Sequence, residues 1–202
     1  MKLILATNNQ HKLTEFRRVL DPIGVTVISQ NEAGISVDVE ETGKTFEENA
    51  KLKADAIYQL TGLPTVADDS GLEVDILDNA PGVYTARYAG ENATDADRYN
   101  KLLGEMKAVK DADRTARFVC VLHYIDSDGV GHSMRGECFG KIGYEPKGAN
   151  GFGYDPVFMV GSKSFSELLP EEKDAVSHRG KALQMLADLI QKQKKNRKGL
   201  EL

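Results

Sequence analysis

Within its first thirty residues the chain spells a strand, a polar turn, a helix and a second strand. That order commits it to an α/β architecture, in which each element buries one face against a neighbour. Lys2 to Ala6 is short and apolar, as a buried strand is. Thr7 to Gln10 is polar. From His11 to Leu20 the apolar residues Leu13, Phe16, Val19 and Leu20 return at helical spacing. Asp21-Pro22 stops the helix, because the residue before a proline is pushed out of the helical region. Val25 to Ser29 is the second strand.

Further along, Thr45-Phe46-Glu47-Glu48 has the form of a capping box, with the threonine hydroxyl taking a backbone N–H and Glu48 reaching back. It opens a helix expected to run to about Leu60, with Ala50, Ala54, Ile57, Tyr58 and Leu60 on its buried side and Gly62 and Pro64 past its end. Thr65 to Ala67 is expected as a short strand leading into Asp68-Asp69 and a turn at Ser70-Gly71, and Leu72 to Leu77 as another strand. Thr94 to Met106 reads as a helix capped by Thr94 or Asp95. Ser127-Asp128-Gly129 supplies turn chemistry between strands Arg117 to Asp126 and Val130 to Gly140, so these form a hairpin. The last helix is expected from 177 to 193, with Ala182, Leu183, Leu186, Leu189 and Ile190 at core spacing. From about 194 the basic end is expected to be a solvated, flexible tail.

The chain has 202 residues, which suits one domain, 1–202, with two lobes at most. Its net charge is −5, from 26 basic and 31 acidic side chains. It therefore lacks the basic face that sequence-independent nucleic-acid binding needs, and no stable nucleic-acid partner is expected. A phosphate ligand stays open, since lysines, helix N-termini and a metal can hold one on an acidic protein. Cys120 and Cys138 belong to no CxxC pair, which argues against structural zinc. They read as buried thiols in a reducing cytoplasm. MKLILATNN is too short an apolar run for a signal peptide, and no stretch is long and apolar enough to span a membrane.

Five segments carry polar chemistry. Thr7-Asn8-Asn9-Gln10-His11-Lys12 joins the first strand to the first helix, where free N–H groups, short polar side chains and a lysine suit either a phosphate or a plain helix cap. Asp68-Asp69 and Glu40-Glu41 are acidic pairs. Each suits a hard cation such as Mg²⁺, and each also suits a solvated turn. Asn49 and Lys53 share one helix face, four residues apart. His178 and Arg179 stand at the start of the last helix, where the dipole disfavours cations unless an electron-rich ligand is present. Between Gly140 and Pro156 the chain is dense in glycine and aromatics, fitting a ligand loop or an ordinary surface loop.

The segments LATNNQHKLTEF, EETGKTFEENAKLKA, ADDSGLEVDIL, PGVYTARYAG, GANGFGYDPVF and EEKDAVSHRGKAL, in that order, resemble the inosine triphosphate pyrophosphatase family over nearly the whole chain. The resemblance implies an elongated α/β fold with a mixed β-sheet flanked by helices, two lobes around a central cleft and a homodimer. It implies hydrolysis of non-standard purine nucleoside triphosphates (ITP, dITP, XTP, dXTP) to the monophosphate and pyrophosphate, with Mg²⁺ or Mn²⁺ as cofactor. It assigns Thr7, Asn8, Asn9, Gln10, His11 and Lys12 to the phosphates, and Glu40 and Asp69 to the metal. Asp69 is also implied as general base, with Glu41, Lys53 and Asp68 in support. Ser70 is implied as a substrate contact. Phe152, Gly153, Tyr154, Asp155, Lys173, His178 and Arg179 are implied to receive the base. Three alternatives stand beside it: a Maf-type pyrophosphatase with another base preference, a nucleotide-binding protein without catalysis, and a nucleic-acid binder that uses the basic tail.

Overall fold

The computed structural model describes residues 1–200. β1 (Lys2–Leu5) has Leu3, Ile4 and Leu5 fully buried, because β2 (Thr26–Ser29) and β3 (Thr65–Val74) flank it, both parallel to it. β4 (Thr115–Ile125) and β5 (Gly131–Ile142) are joined by the expected tight turn, in which the Asp126 carboxylate accepts the N–H groups of Asp128 and Val130. β6 (Phe158–Val160) runs antiparallel to the end of β5, and β7 (Lys163–Ser164) antiparallel to β6. One mixed sheet results, in the order β2-β1-β3-β4-β5-β6-β7.

The helices follow the sequence signals closely at their starts. Asn9 caps α1 (Gln10–Leu20), its side-chain oxygen accepting from the N–H groups of His11 and Lys12. Leu13, Phe16 and Leu20 are buried on its inner face. Thr45 and Glu48 form the reciprocal cap of α2 (Phe46–Thr61), and Gly62 ends it at a φ of 62°. Ala50, Ala54 and Ile57 are buried there, but Leu60 is exposed, because in the last turn it lies off the buried arc. Thr94 caps α3 (Asp95–Glu105). A short helix, α4 (Pro170–Val176), was not expected; Pro170 at its first turn has no N–H to leave unsatisfied.

Two expectations change. The turn at Ser70-Gly71 does not exist: β3 runs unbroken from Thr65 to Val74, and nearly every residue of it is buried. With both faces covered, a strand shows no polar/apolar alternation, so its polar middle looks like a break in the sequence. The last helix, α5 (His178–Leu200), also passes 193. Lys194 donates to the carbonyls of Ile23 and Gly24, and Gln193 to Asp126, so the start of the expected tail is bonded to the fold. Residues 201 and 202 of that tail lie outside the described residues.

By internal packing the chain divides into two units. One comprises Met1–Asp69, Val121–Arg135 and the chain from Gly180; the other comprises Ser70–Cys120 and Gly136–Arg179. The first has a core of Ile4, Ala6, Ala54, Ile57, Ala67 and Ile125. The second is built on aromatic rings: Phe118 packs 4.6 Å from Phe158 and 5.8 Å from Phe165, and Phe158 lies 4.9 Å from Phe165. Burying each such side chain contributes roughly 1.5–3 kcal/mol. Cys120 and Cys138 are buried free thiols, as expected. No described helix is long and apolar enough to cross a membrane.

Candidate active site

In the first unit the charged residues converge on Lys53. Its ammonium group donates to Glu41 Oε1 (2.7 Å), to the Asp68 carbonyl (2.8 Å) and to Asp69 Oδ1 (3.1 Å), which uses all three of its protons. The neighbouring carboxylate, Asp68, pairs with Lys12 of α1. This split follows from strand geometry, since successive side chains of β3 point to opposite faces. The loop bearing Glu41 is pinned a second time. Asn49, fully buried one turn before Lys53, accepts the Gly43 N–H at 2.8 Å. Gly43 sits so close that a Cβ there would lie 2.5 Å from Asn49 Oδ1. The shared helix face of Asn49 and Lys53 is therefore a buried clamp.

This set is short of positive charge. Glu41, Asp68 and Asp69 face the ammonium groups of Lys12 and Lys53. Asp69 Oδ2 is buried with no hydrogen-bond partner. Burial raises the Asp69 pKa above the ordinary aspartate value, and Glu41 adds to the rise, while Lys53 and Lys12 oppose it. Burial alone would depress Lys53, but Asp69 and Glu41 outweigh it and its pKa is raised. A buried carboxylate oxygen without a donor costs about 1–3 kcal/mol or more, and a divalent cation relieves that cost. Among the described residues no three His, Cys or carboxylate groups form a ready cage. Glu41 and Asp69 supply oxygen donors, and Mg²⁺ takes one or two carboxylates and completes its shell with water and phosphate. The donor set fits the cation.

Beside these groups is a cavity of about 250 Å³, lined by Thr7, Asn8, Lys12, Asp38, Glu41 and Lys53 among others. Asn9, Gln10 and His11 are exposed, with Asn9 occupied as the helix cap. Glu40 is exposed, and it is Glu41 whose carboxylate reaches Lys53. The acidic loop alternates along its length, so adjacent glutamates take different sides.

The second unit holds the remaining expected residues. Asp155 and Lys173 form a buried pair at 2.6 Å. The same Asp155 oxygen accepts the Phe152 N–H at 2.9 Å. Gly151, at a φ of 78°, leaves no room for any side chain, since a Cβ would meet that oxygen at 2.1 Å. Two cations flank the half-buried Phe152 ring, Lys173 Nζ at 4.9 Å and Arg179 Cζ at 5.6 Å from its centre. Arg179 is buried and donates to the Ser70 hydroxyl at 2.8 Å. His178 stacks on Phe118 at 4.6 Å.

Backbone donors near Phe152 do not point outward as a base-reading group would need. The Phe152 N–H goes to Asp155, and the Gly153 N–H goes to Asp95 at 2.7 Å. Tyr154 is buried, with its hydroxyl on the Thr85 carbonyl. Asp95 and Thr85 were missed as contributors; the sequence marked Asp95 only as a possible cap, and its link to Gly153 spans 58 residues. Arg114 was missed too. It is buried and donates to the carbonyls of Ile142, Met106 and Gly143, a role no local pattern announces.

Comparison with known proteins identifies the family. The Ham1 family model matches residues 3–189. A dITP/XTP pyrophosphatase of Clostridium perfringens is 48% identical over 195 residues, spanning 93% of this chain and 96% of that protein. A dITP/XTP pyrophosphatase of Escherichia coli O157:H7 is 49% identical over 193 residues, spanning 94% and 98%. A solved HAM1 protein of Coxiella burnetii superposes with a TM-score of 0.86 at 43% identity, covering 95% of this chain and 99% of that one. On these grounds the chain belongs to the Ham1 family.

Proposed function

We propose that the chain hydrolyses non-standard purine nucleoside triphosphates, ITP, dITP, XTP and dXTP, to the nucleoside monophosphate and pyrophosphate. The observation that carries this is the charge-deficient group at Lys53, where Asp69 keeps a buried, unpartnered oxygen beside a polar cavity. The relatives named dITP/XTP pyrophosphatase supply the substrate class.

Asp69 and the Glu40-Glu41 pair are the residues that would hold Mg²⁺, or Mn²⁺ in its place. When bound, the cation neutralises phosphate charge and makes a coordinated water more acidic. Asp69 orients the attacking water and takes its proton. A carboxylate is a weak base at neutral pH, so the added acidity of the water is needed for Asp69 to take its proton. Lys12 and the rest of the Thr7 to Lys12 loop bind phosphate oxygens, and Lys12, with Lys53 held behind Glu41 and Asp69, offsets charge on the leaving pyrophosphate. The nucleophile attacks the α-phosphorus, so the bond to the bridging oxygen breaks.

Base selection falls to side chains. Phe152 stacks on the purine, held by Lys173, Asp155 and Gly153, while Tyr154 and His178 back the loop. Arg179 donates and never accepts, so it matches the 6-carbonyl of hypoxanthine or xanthine and mismatches the 6-amino group of adenine. Leaving buried polar groups unpaired in this way discriminates by up to ~10⁴-fold. Ser70, held by Arg179, contacts the substrate. We place the protein in the cytoplasm as a homodimer without a nucleic-acid partner.

The test is a purified-protein assay on ITP, XTP, dITP, ATP, GTP, dTTP and UTP, with and without Mg²⁺, with phosphorus products identified. Metal-dependent pyrophosphate release from ITP and XTP is the expected result. Preference for dTTP or UTP, or no pyrophosphate from any substrate, contradicts it.

A further inference from the structure

The segment PGVYTARYAG is left without a role by the chemistry above. Its threonine makes two bonds that converge on ligand-bearing elements. Thr85 Oγ1 accepts the Leu72 N–H of β3 at 2.9 Å, two residues past Ser70. The Thr85 carbonyl accepts the Tyr154 hydroxyl at 3.0 Å, inside the loop that carries Phe152. Thr85, Leu72, Ser70 and Tyr154 all belong to the second unit.

We propose that Thr85 is a positioning residue that fixes the Phe152–Asp155 loop against the Ser70 end of β3, and so sets how tightly and selectively the base is held. This rests on the reading of that loop as the base site. Three features support it. Tyr154 is only 2% exposed, so its hydroxyl is spent on anchoring and not on a ligand. The strand side of the anchor is a backbone N–H of β3, and the Thr85 hydroxyl supplies its acceptor from outside the sheet. The far side of the loop has its own tie, from the Gly153 N–H to Asp95, so removing Thr85 Oγ1 loosens one edge without releasing the whole loop.

Thr85→Val keeps the shape and deletes the acceptor, Thr85→Ser keeps the acceptor, and Tyr154→Phe deletes the other bond. Amide hydrogen exchange over residues 148–156 reads the loop directly, whatever the substrate. Faster exchange in Thr85→Val and Tyr154→Phe, with Thr85→Ser like the parent, is expected; unchanged exchange in both overturns the proposal. In the ITP assay, Thr85→Val should raise KM about tenfold, the scale of one lost hydrogen bond. Its kcat should stay within about threefold, its preference for ITP over ATP should fall, and Thr85→Ser should restore both. A loss of kcat alone, with KM and preference unchanged, overturns it. Should Thr85→Val not fold, Tyr154→Phe carries both readouts. A parent protein that cleaves no purine triphosphate contradicts the substrate reading, and the exchange result then still decides the role of Thr85.

Discussion

Lys53 and Lys173 each hold a carboxylate inside the fold, but their surroundings differ. Lys173 pairs with Asp155, and the same carboxylate oxygen also closes the loop by taking the Phe152 N–H. Lys53 is shared between Glu41 and Asp69, with Asp68 and Lys12 alongside, and one Asp69 oxygen is left over. The first arrangement is complete as it stands and serves as a scaffold. The second leaves a buried carboxylate oxygen unmet, which a further cation would satisfy. On the proposed reading, stability and reactivity are divided: the set around Phe152 is preorganised, and the set around Lys53 keeps an unmet electrostatic demand.

The sharpest way to break this contrast is Asp69→Asn, which keeps shape and removes the proton acceptor. Turnover on ITP should fall at least ~100-fold, with KM little changed; near-normal turnover in the folded variant contradicts the role. Lys53→Met comes next. It leaves Glu41 and Asp69 without their shared partner, and kcat/KM should fall about 30-fold, the scale of a lost charge-assisted bond. Phe152→Ala should act on the other set, raising KM about tenfold through lost stacking while kcat holds. If it lowers kcat alone, the division of labour is wrong. Glu40→Gln and Glu41→Gln then separate two adjacent carboxylates. The one that binds metal should lose about tenfold in Mn²⁺ affinity by titration calorimetry, and equal affinities in both variants would remove the acidic loop from the metal site.

The smallest expected effect is on pH dependence. The folded, metal-free chain holds the Asp69 proton more tightly than the unfolded chain does. That contribution to stability is therefore present below the unfolded pKa and is lost as pH rises through the folded value. Mg²⁺ favours the charged form and should reverse the trend. A carbon-detected titration of the aspartate side chains should show one carboxyl titrating above the ordinary value without Mg²⁺ and lower with it.

Helix starts were legible because caps are local: Asn9, Thr45 and Thr94 each satisfy donors within three residues. The hairpin at Asp126 was legible for the same reason. β3 was not, since Ser70-Gly71 carries turn chemistry and only burial on both faces reveals a strand. The site shows the same divide. The types of residue around Lys53 could be named from the chain, but which of Glu40 and Glu41 turns inward depends on the register of a loop without regular structure. Thr85, Asp95 and Arg114 act through partners far along the chain, and a single sequence does not show such pairings.

Position of attack is the point on which the account turns. Cleaving ITP in ¹⁸O-labelled water and analysing both products by mass spectrometry locates the oxygen that enters. One label in the monophosphate and none in pyrophosphate is the expected outcome, since the Asp69-oriented water reaches the α-phosphorus. Label in pyrophosphate, or release of orthophosphate in its place, would contradict the account.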